Sequence, residues 1–392
     1  MTEAAEDVQP AGNSGAADGR RRQSIQAAVT AMLACQSENG ALVASPDFAQ
    51  YQYCWLRDSS FAAYALDRCG QHEASERYHR WAAAAIAGIG DRLDTVTQRR
   101  LAGQAVDRAM LPPTRFGLDG SAVADDWPNF QIDGYGTWLW ALLEHLSMTG
   151  HGALPAGLRE SVARAAQFVA AFALDPCYDV WEENPDAVHT STLACIYGGL
   201  RAAADMLADP GLSERAREIQ MHVRTGALAA GRFQKSNISR EVDASMLWLA
   251  TPFGLVDGSD PQFVAAVEQI AAQLDLDGGI RRYPSDTFYG GGAWPVLTAW
   301  LGWHHAATGD YGAARRRLAW VAGRIDADGR LGEQFGGERR LPEMYRAWVD
   351  RWGHPARDLL WSHAMHAVLS TELGTSDGAP SSDGPTSLQR QR

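Results

Sequence analysis

The sequence predicts an all-α chain: twelve helices paired as six hairpins and closed into an (α/α)6 barrel, with an active site in the loops at one mouth. Three observations carry this. Apolar residues recur at helical spacing, as in Leu158, Val162, Ala165, Val169 and Phe172, or Leu193, Ile196, Leu200, Ala203 and Leu207, whereas apolar–polar alternation is nearly absent. Gly, Pro, Asp and Asn cut the body into pieces of helical length. No flexible linker or composition change divides those pieces, which favours one barrel over two domains. No segment repeats another at a fixed period, which argues against an open solenoid.

In chain order this punctuation places helices at 20–35, 58–69, 71–88, 134–149, 157–173 and 189–207. Six more follow at 213–230, 242–250, 261–274, 293–308, 311–324 and 356–372. Residues 1–20 and 374–392 are mostly small and polar with almost nothing to bury, so both are expected to be disordered tails around a catalytic domain over 21–373.

Composition removes several function classes. Of 392 residues 46% are hydrophobic and 21% charged, an ordinary globular balance. No apolar run approaches the roughly 18 residues a bilayer span requires, so no membrane partner is expected. A net charge of -12, with Lys235 the single lysine, opposes the positive surface that nucleic acid needs. The five cysteines, 35, 54, 69, 177 and 195, contain no C-x-x-C pair, and reduced thiols are expected. The acidic N-terminal segment lacks the basic start and apolar core of a signal peptide, so a cytoplasmic location is expected. There is no P-loop, dinucleotide fingerprint or H-E-x-x-H, and no cofactor is expected. His354, His363 and His366 lack acidic or Cys partners at ligand spacing, so no metal is expected either. Gly374 to Gly378 matches G-x-S-x-G without the preceding strand a nucleophile elbow needs.

What separates the helices is more informative. The loops 50–58, 125–135, 178–189, 279–294 and 331–346 concentrate Trp, Tyr, Arg, Asp and Glu. Flat aromatic faces pack against sugar C–H faces while neighbouring polar groups take hydroxyls, so Trp55, Trp127, Trp181 and Trp294 together point to carbohydrate, although any one of them could be a core filler. The segment Tyr178-Asp179-Val180-Trp181-Glu182-Glu183-Asn184 sets carboxylates against an indole, which raises an acid's pKa toward that of a general acid; an acidic pair at a helix start is the bland alternative. Glu333 stands in the Gly-rich turn Gly329-Arg330-Leu331-Gly332-Glu333-Gln334-Phe335. Glycosidic hydrolysis with inversion needs two carboxylates roughly 6.5–9.5 Å apart. In Trp55-Leu56-Arg57-Asp58, Asp58 is either a helix N-cap or an acceptor oriented by Arg57 toward a ligand hydroxyl. Arg281 and Arg282, before Tyr283-Pro284-Ser285-Asp286, form a comparable pair, with a surface ion pair as the bland alternative.

With these loops in view, the chain resembles glycoside hydrolase family 15, the glucoamylase and glucodextranase family of inverting exo-glucosidases. Six motifs in order carry the likeness across most of residues 50–370: Tyr51-Gln52-Tyr53-Cys54-Trp55-Leu56-Arg57-Asp58, Gln131-Ile132-Asp133-Gly134, Tyr178 to Glu183, Arg282-Tyr283-Pro284-Ser285-Asp286-Thr287-Phe288-Tyr289, Leu331 to Phe335, and Ala356-Arg357-Asp358-Leu359-Leu360-Trp361-Ser362. The resemblance implies Glu182 as general acid, Glu333 as general base and Tyr51 near the catalytic water. It also implies substrate binding by Glu183, Arg57, Asp58 and Arg282, with Trp55, Trp127 and Trp181 lining the pocket and Trp294 at its rim.

Two departures from the family matter. Phe288 stands where many members have tyrosine, so a hydroxyl expected near Tyr51 is missing and the alkaline side of the pH profile is expected to broaden. The chain also shows no starch-binding module or N-terminal β-domain, and in this it resembles the short bacterial members that cut isomalto-oligosaccharides; the resemblance implies a small oligosaccharide substrate, α-1,6-linked of the isomaltose type before α-1,4 substrates or trehalose. Competing readings are a sugar-binding barrel without catalysis, a polysaccharide lyase, which would want a basic cleft, and a phosphorylase, which would depend on phosphate.

Overall fold

The computed structural model describes residues 12–377 apart from 124, 227, 230 and 231. Its helices are α1 (Gly12–Ala34), α2 (Leu56–Arg68), α3 (His72–Gly88), α4 (Gly90–Leu101), α5 (Asp133–Met148), α6 (Arg159–Phe172) and α7 (Thr190–Leu207). They continue with α8 (Pro210–Gly226), α9 (Pro261–Gln273), α10 (Pro295–Ala307), α11 (Tyr311–Ala322), α12 (Gly337–Arg340), α13 (Pro342–Trp352) and α14 (Leu360–Asp377). Eleven of the expected helices are present as α-helices. The twelfth, expected over 242–250, is a 3₁₀ helix at Ala244–Leu249. Asp243 caps its start through the Ser245 N–H, and Pro252, which lacks a donor and disfavours helix in the preceding residue, stops it from lengthening.

Three helices were not expected: α4, α12 and α13. Conversely, residues 12–20 and 374–377, expected as tails, are the ends of α1 and α14. The rest of the expected tails, 1–11 and 378–392, lie outside the described residues.

Inner and outer elements alternate along the chain. α2, α5, α7, the 3₁₀ helix, α10 and α14 pack neighbour to neighbour, and α14 returns to α2, closing a six-membered inner ring. Between them in sequence, α1, α3, α6, α8, α9 and α11 form the outer layer. Patterning explains the assignment: α7 and α10 are buried around nearly their whole circumference, whereas α8 buries one stripe, Leu212, Ala216, Ile219 and Val223. Where α5 meets α7 the backbones nearly touch. A Cβ at Gly199 would stand 2.5 Å from the Gly136 carbonyl oxygen, so glycine is required for that approach.

An aromatic cluster fills the axis of the ring. Phe61 of α2, Trp140 of α5, Trp248 of the 3₁₀ helix, Trp300 of α10 and Trp361 of α14 converge, with centroids 4.7 Å apart for Trp248–Trp300 and 5.8 Å for Phe61–Trp361. Because each hairpin returns through an outer helix, all six inner elements start at the same mouth. The loops leading into them, and the positive ends of their dipoles, therefore converge there. Among the described residues the strands form three two-stranded ribbons; one pairs Cys54–Trp55 with Arg115–Phe116 beside the mouth. No helix among the described residues is long and apolar enough to cross a membrane.

Candidate active site

All twelve residues singled out in the sequence line one cavity of about 580 Å³ at this mouth. On one wall, Trp55 ends its strand and Arg57 and Asp58 open α2. Asp58 lies in the first helical turn and Trp55 holds the N-cap position, so the N-cap reading of Asp58 is not realised. The Arg57 guanidinium is fixed by Gln131 (2.9 Å) and Asp133 (3.0 Å), which lead into α5, and lies 3.4 Å from Asp58 Oδ2 and 3.6 Å from Glu182 Oε1. The Trp55 indole N–H donates to the same Glu182 oxygen at 2.7 Å.

Glu182 sits in a tight turn rather than at a helix start, with φ of 66° in the left-handed region. A non-glycine residue held there costs of order 1–3 kcal/mol and persists only when its surroundings over-determine it. They do. Asp179 Oδ1 accepts from the backbone N–H of both Trp181 and Glu183 at 2.9 Å, and Glu182 N–H donates to the Asp179 carbonyl at 2.9 Å. Beneath this turn lies Lys235, 3.0 Å from Asp243 and 3.8 Å from Asp179, with its ammonium 3.6 Å from the Tyr283 ring centroid. Asp243 also accepts from the Trp181 indole at 2.9 Å. The only lysine in the chain thus props the turn that carries Glu182.

In the same cavity Glu333 is 1% exposed; one oxygen accepts from the Tyr51 hydroxyl at 2.8 Å. Among the described residues its other oxygen has no hydrogen-bond partner, and neither has Asp58 Oδ2 or the indole N–H of Trp127, Trp294 or Trp361. Buried polar atoms without partners are costly unless a ligand supplies them. Arg282 is locked to Asp286 by two hydrogen bonds, at 3.0 and 2.5 Å, and reaches Glu183 at 3.2 Å; Tyr283 also donates to Glu183. Arg281 instead bonds the carbonyls of Pro284 and Gln273, away from this network. Phe288 lies under the Arg282 guanidinium at 5.0 Å and against Trp294. Among the described residues the Tyr51 hydroxyl bonds no side chain but Glu333.

Burial dominates the electrostatics. It pushes Glu333 up to about 7 and Asp58 up to about 6, the latter against the pull of Arg57. Burial also raises Glu182, opposed by the Arg57 charge and the Trp55 N–H. Tyr51 stands well above its ordinary value through burial and the neighbouring Glu333 carboxylate.

Sequence reasoning missed part of the wall. Trp348, Arg351 and Trp352 of α13 close the rim, with Trp352 stacked near-parallel on Trp127 at 6.1 Å. Arg115 backs Trp127 from behind, 3.7 Å from its ring centroid. The i, i+4 spacing of the two tryptophans after Pro342 was the available signal for α13. Nothing local announces Lys235 or Arg115, whose partners lie far away in sequence.

A ring of paired helices, its mouth holding one buried and one half-buried carboxyl among arginines and tryptophans, defines a carbohydrate-cleaving enzyme of the (α/α)6 class. Comparison with known proteins agrees: the model for glycosyl hydrolases family 15 matches residues 19–367, and the chain belongs to that family of glycoside hydrolases. It is 38% identical over 352 residues to isomaltose glucohydrolase of Kribbella flavida, covering 86% of this chain and 89% of that protein. A solved wild-type glycosidase superposes with TM-score 0.88 at 36% identity, over 93% of this chain and 99% of that one. The glucoamylase of Saccharomycopsis fibuligera shares the fold, with TM-score 0.69 at 15% identity over 96% and 99%.

Proposed function

We propose that this chain is an inverting, exo-acting α-glucosidase that releases β-glucose from the non-reducing end of short α-1,6-linked glucosides of the isomaltose type, acting in the cytoplasm. In this reading Glu182 protonates the glycosidic oxygen and Glu333 draws a proton from the attacking water. The bond to the departing sugar breaks, water adds to the opposite face of the anomeric carbon, and the leaving oxygen takes the Glu182 proton. Tyr51 orients the Glu333 carboxylate and, lacking a second hydroxyl partner, takes part in proton handling. Arg57 and Asp58 hold outer hydroxyls of the terminal glucose, and Arg282 with Glu183 holds those on its other side. A sugar that takes the hydrogen bonds of Arg57 weakens its hold on the Glu182 anion, which lifts that acid further toward its working form.

The observation that carries the reading is the pairing of two carboxyls across one cavity, one held by Trp55 and Arg57 and the other by Tyr51, with a free oxygen on Glu333. Support for the α-1,6 preference comes from the isomaltose glucohydrolase relative. The test is proton NMR of the purified chain with isomaltose, maltose and trehalose, without phosphate, beside a Glu333→Gln control. Initial β-glucose, fastest from isomaltose and absent in the control, is expected. Initial α-glucose, or binding without turnover, would overturn the proposal.

A further inference from the structure

At the far ends of the two helices that present Arg57 and Asp133 lies a second cluster. Asp67 ends α2 and His145 lies near the end of α5, so at 1.5 Å per residue both stand well over 10 Å from the mouth. His79 of α3 faces them, its ring 5.2 Å from that of His145. The three residues are 3%, 3% and 1% exposed, and one donor atom from each lies within 4.8 Å of the others. His145 Nδ1 stands 3.0 Å from both Asp67 oxygens, close to the ~3.3 Å that separates two donors on one tetrahedral zinc.

His79 shows that this is more than a hydrogen-bonded corner. Among the described residues neither of its ring nitrogens has a hydrogen-bond partner. The ring is 1% exposed, so bulk water does not take the place of the missing partners, and the imidazole offers an unused lone pair and an unused N–H. A neutral lone pair turned toward a carboxylate and a second imidazole suits a small cation. The outer arrangement also suits one: Ser75 donates to Asp67 at 2.6 Å, and His72, half-exposed, bonds the other Asp67 oxygen at 2.8 Å, which supplies both support and a route from solvent.

We propose that Asp67, His79 and His145 form a buried site for one divalent transition-metal ion, zinc(II) being the best match to two imidazoles and a carboxylate, with water in the fourth position. His145 would ligate through Nδ1 as its Nε2–H tautomer, and Ser75 and His72 remain as hydrogen-bonding supports of the Asp67 carboxylate. The expectation of no metal rested on His354, His363 and His366; Asp67, His79 and His145 come from three helices with no local motif to announce them. The ion ties α2, α3 and α5 together at the base of the ring, so it governs stability and not turnover.

The test uses the full-length, tag-free chain, stripped with EDTA and titrated with cobalt(II) and then zinc(II). One equivalent of cobalt giving a visible ligand-field band, displaced by zinc, is expected, with a melting temperature raised by roughly 2–4 °C or more by zinc. His79→Leu should lose both effects while keeping its helical circular dichroism and its glucosidase turnover. If that variant does not fold, His72→Ala and Ser75→Ala, which remove supports only, should weaken cobalt binding by about 10–100-fold. No cobalt uptake by the wild type, or identical melting in zinc and EDTA, would overturn the proposal in favour of a buried water. An unchanged cobalt band in His79→Leu would place the ion elsewhere and overturn it equally.

Discussion

At the floor of the pocket, Arg57 is held by Gln131 and Asp133, Glu182 by Trp55 and a left-handed turn, and Arg282 by two bonds to Asp286. At the rim, Trp127, Trp348 and Trp352 meet one another and Phe288 through ring faces and edges, and α13 buries none of its residues fully. Charged groups that must keep fixed positions are over-determined by directional bonds. The rim relies on aromatic area, which tolerates sliding. Under the proposed function the difference separates two tasks in one cavity: the floor would fix the reacting bond, and the rim would select what is attached to it.

The sharpest way to break this division is to disable the floor. Glu182→Gln and Glu333→Gln should each lower kcat by about 10²–10⁴ with the fold intact by circular dichroism; near-wild-type turnover in either would remove that residue from its role. Next comes the prop. Lys235→Met strands Asp243 and Asp179 as buried anions and should cost about 3–5 kcal/mol in urea unfolding. Part of that should return in the double variant with Asp243→Asn, and a cost below 1 kcal/mol would show the turn to be self-supporting.

Floor chemistry also carries a stability penalty that titrates. Folding raises Glu333 from 4.5 to about 7. Between those values the unfolded chain has released the proton that the folded chain keeps, so stability falls as pH rises through this window. Glu333→Gln escapes the loss: it should be more stable than wild type by ~3 kcal/mol at pH 8 and show no such gain near pH 4. Matching melting differences at both pH values would contradict the buried-carboxyl account.

Rim effects should be smaller and differently distributed. Trp352→Ala should raise KM for isomaltose by roughly 2- to 12-fold, matching about 0.5–1.5 kcal/mol of ring stacking, and leave kcat for an aryl α-glucoside nearly unchanged. Equal losses in kcat for both substrates would merge rim and floor. Phe288→Tyr adds a hydroxyl to the cavity that Tyr51 and Glu333 also line, and the expected effect is confined to the pH profile, whose alkaline side should narrow. An unchanged profile would mean that Tyr51 is already fully constrained by Glu333.

The same contrast governs what could be read from the sequence. Inner helices such as α7 and α10 are apolar around their circumference and outer ones such as α6 carry a clean stripe, so their existence was visible in spacing. α4 escaped because Gly88 and Gly90 end one helix and begin the next within three residues, and α13 because its apolar face meets a pocket and not the core. The 3₁₀ helix was mistaken for an α-helix because six buried residues, five of them apolar, look alike in both. At the site, Glu182, Arg57 and Glu333 announced themselves through composition and motif order. Lys235 did not: its meaning lies in Asp179 and Asp243, brought beside it only by ring closure.

The aromatic cluster on the barrel axis has a kinetic consequence. Since Phe61, Trp248, Trp300 and Trp361 stop the pocket from below, nothing can leave except past the rim. Under the proposed function the sugar nearer the opening would depart first and the β-glucose seated at the floor last. Glucose should therefore compete directly with substrate, whereas the aglycone should inhibit noncompetitively. A polymer chain cannot thread onward after each cut, so every cleavage is a separate encounter.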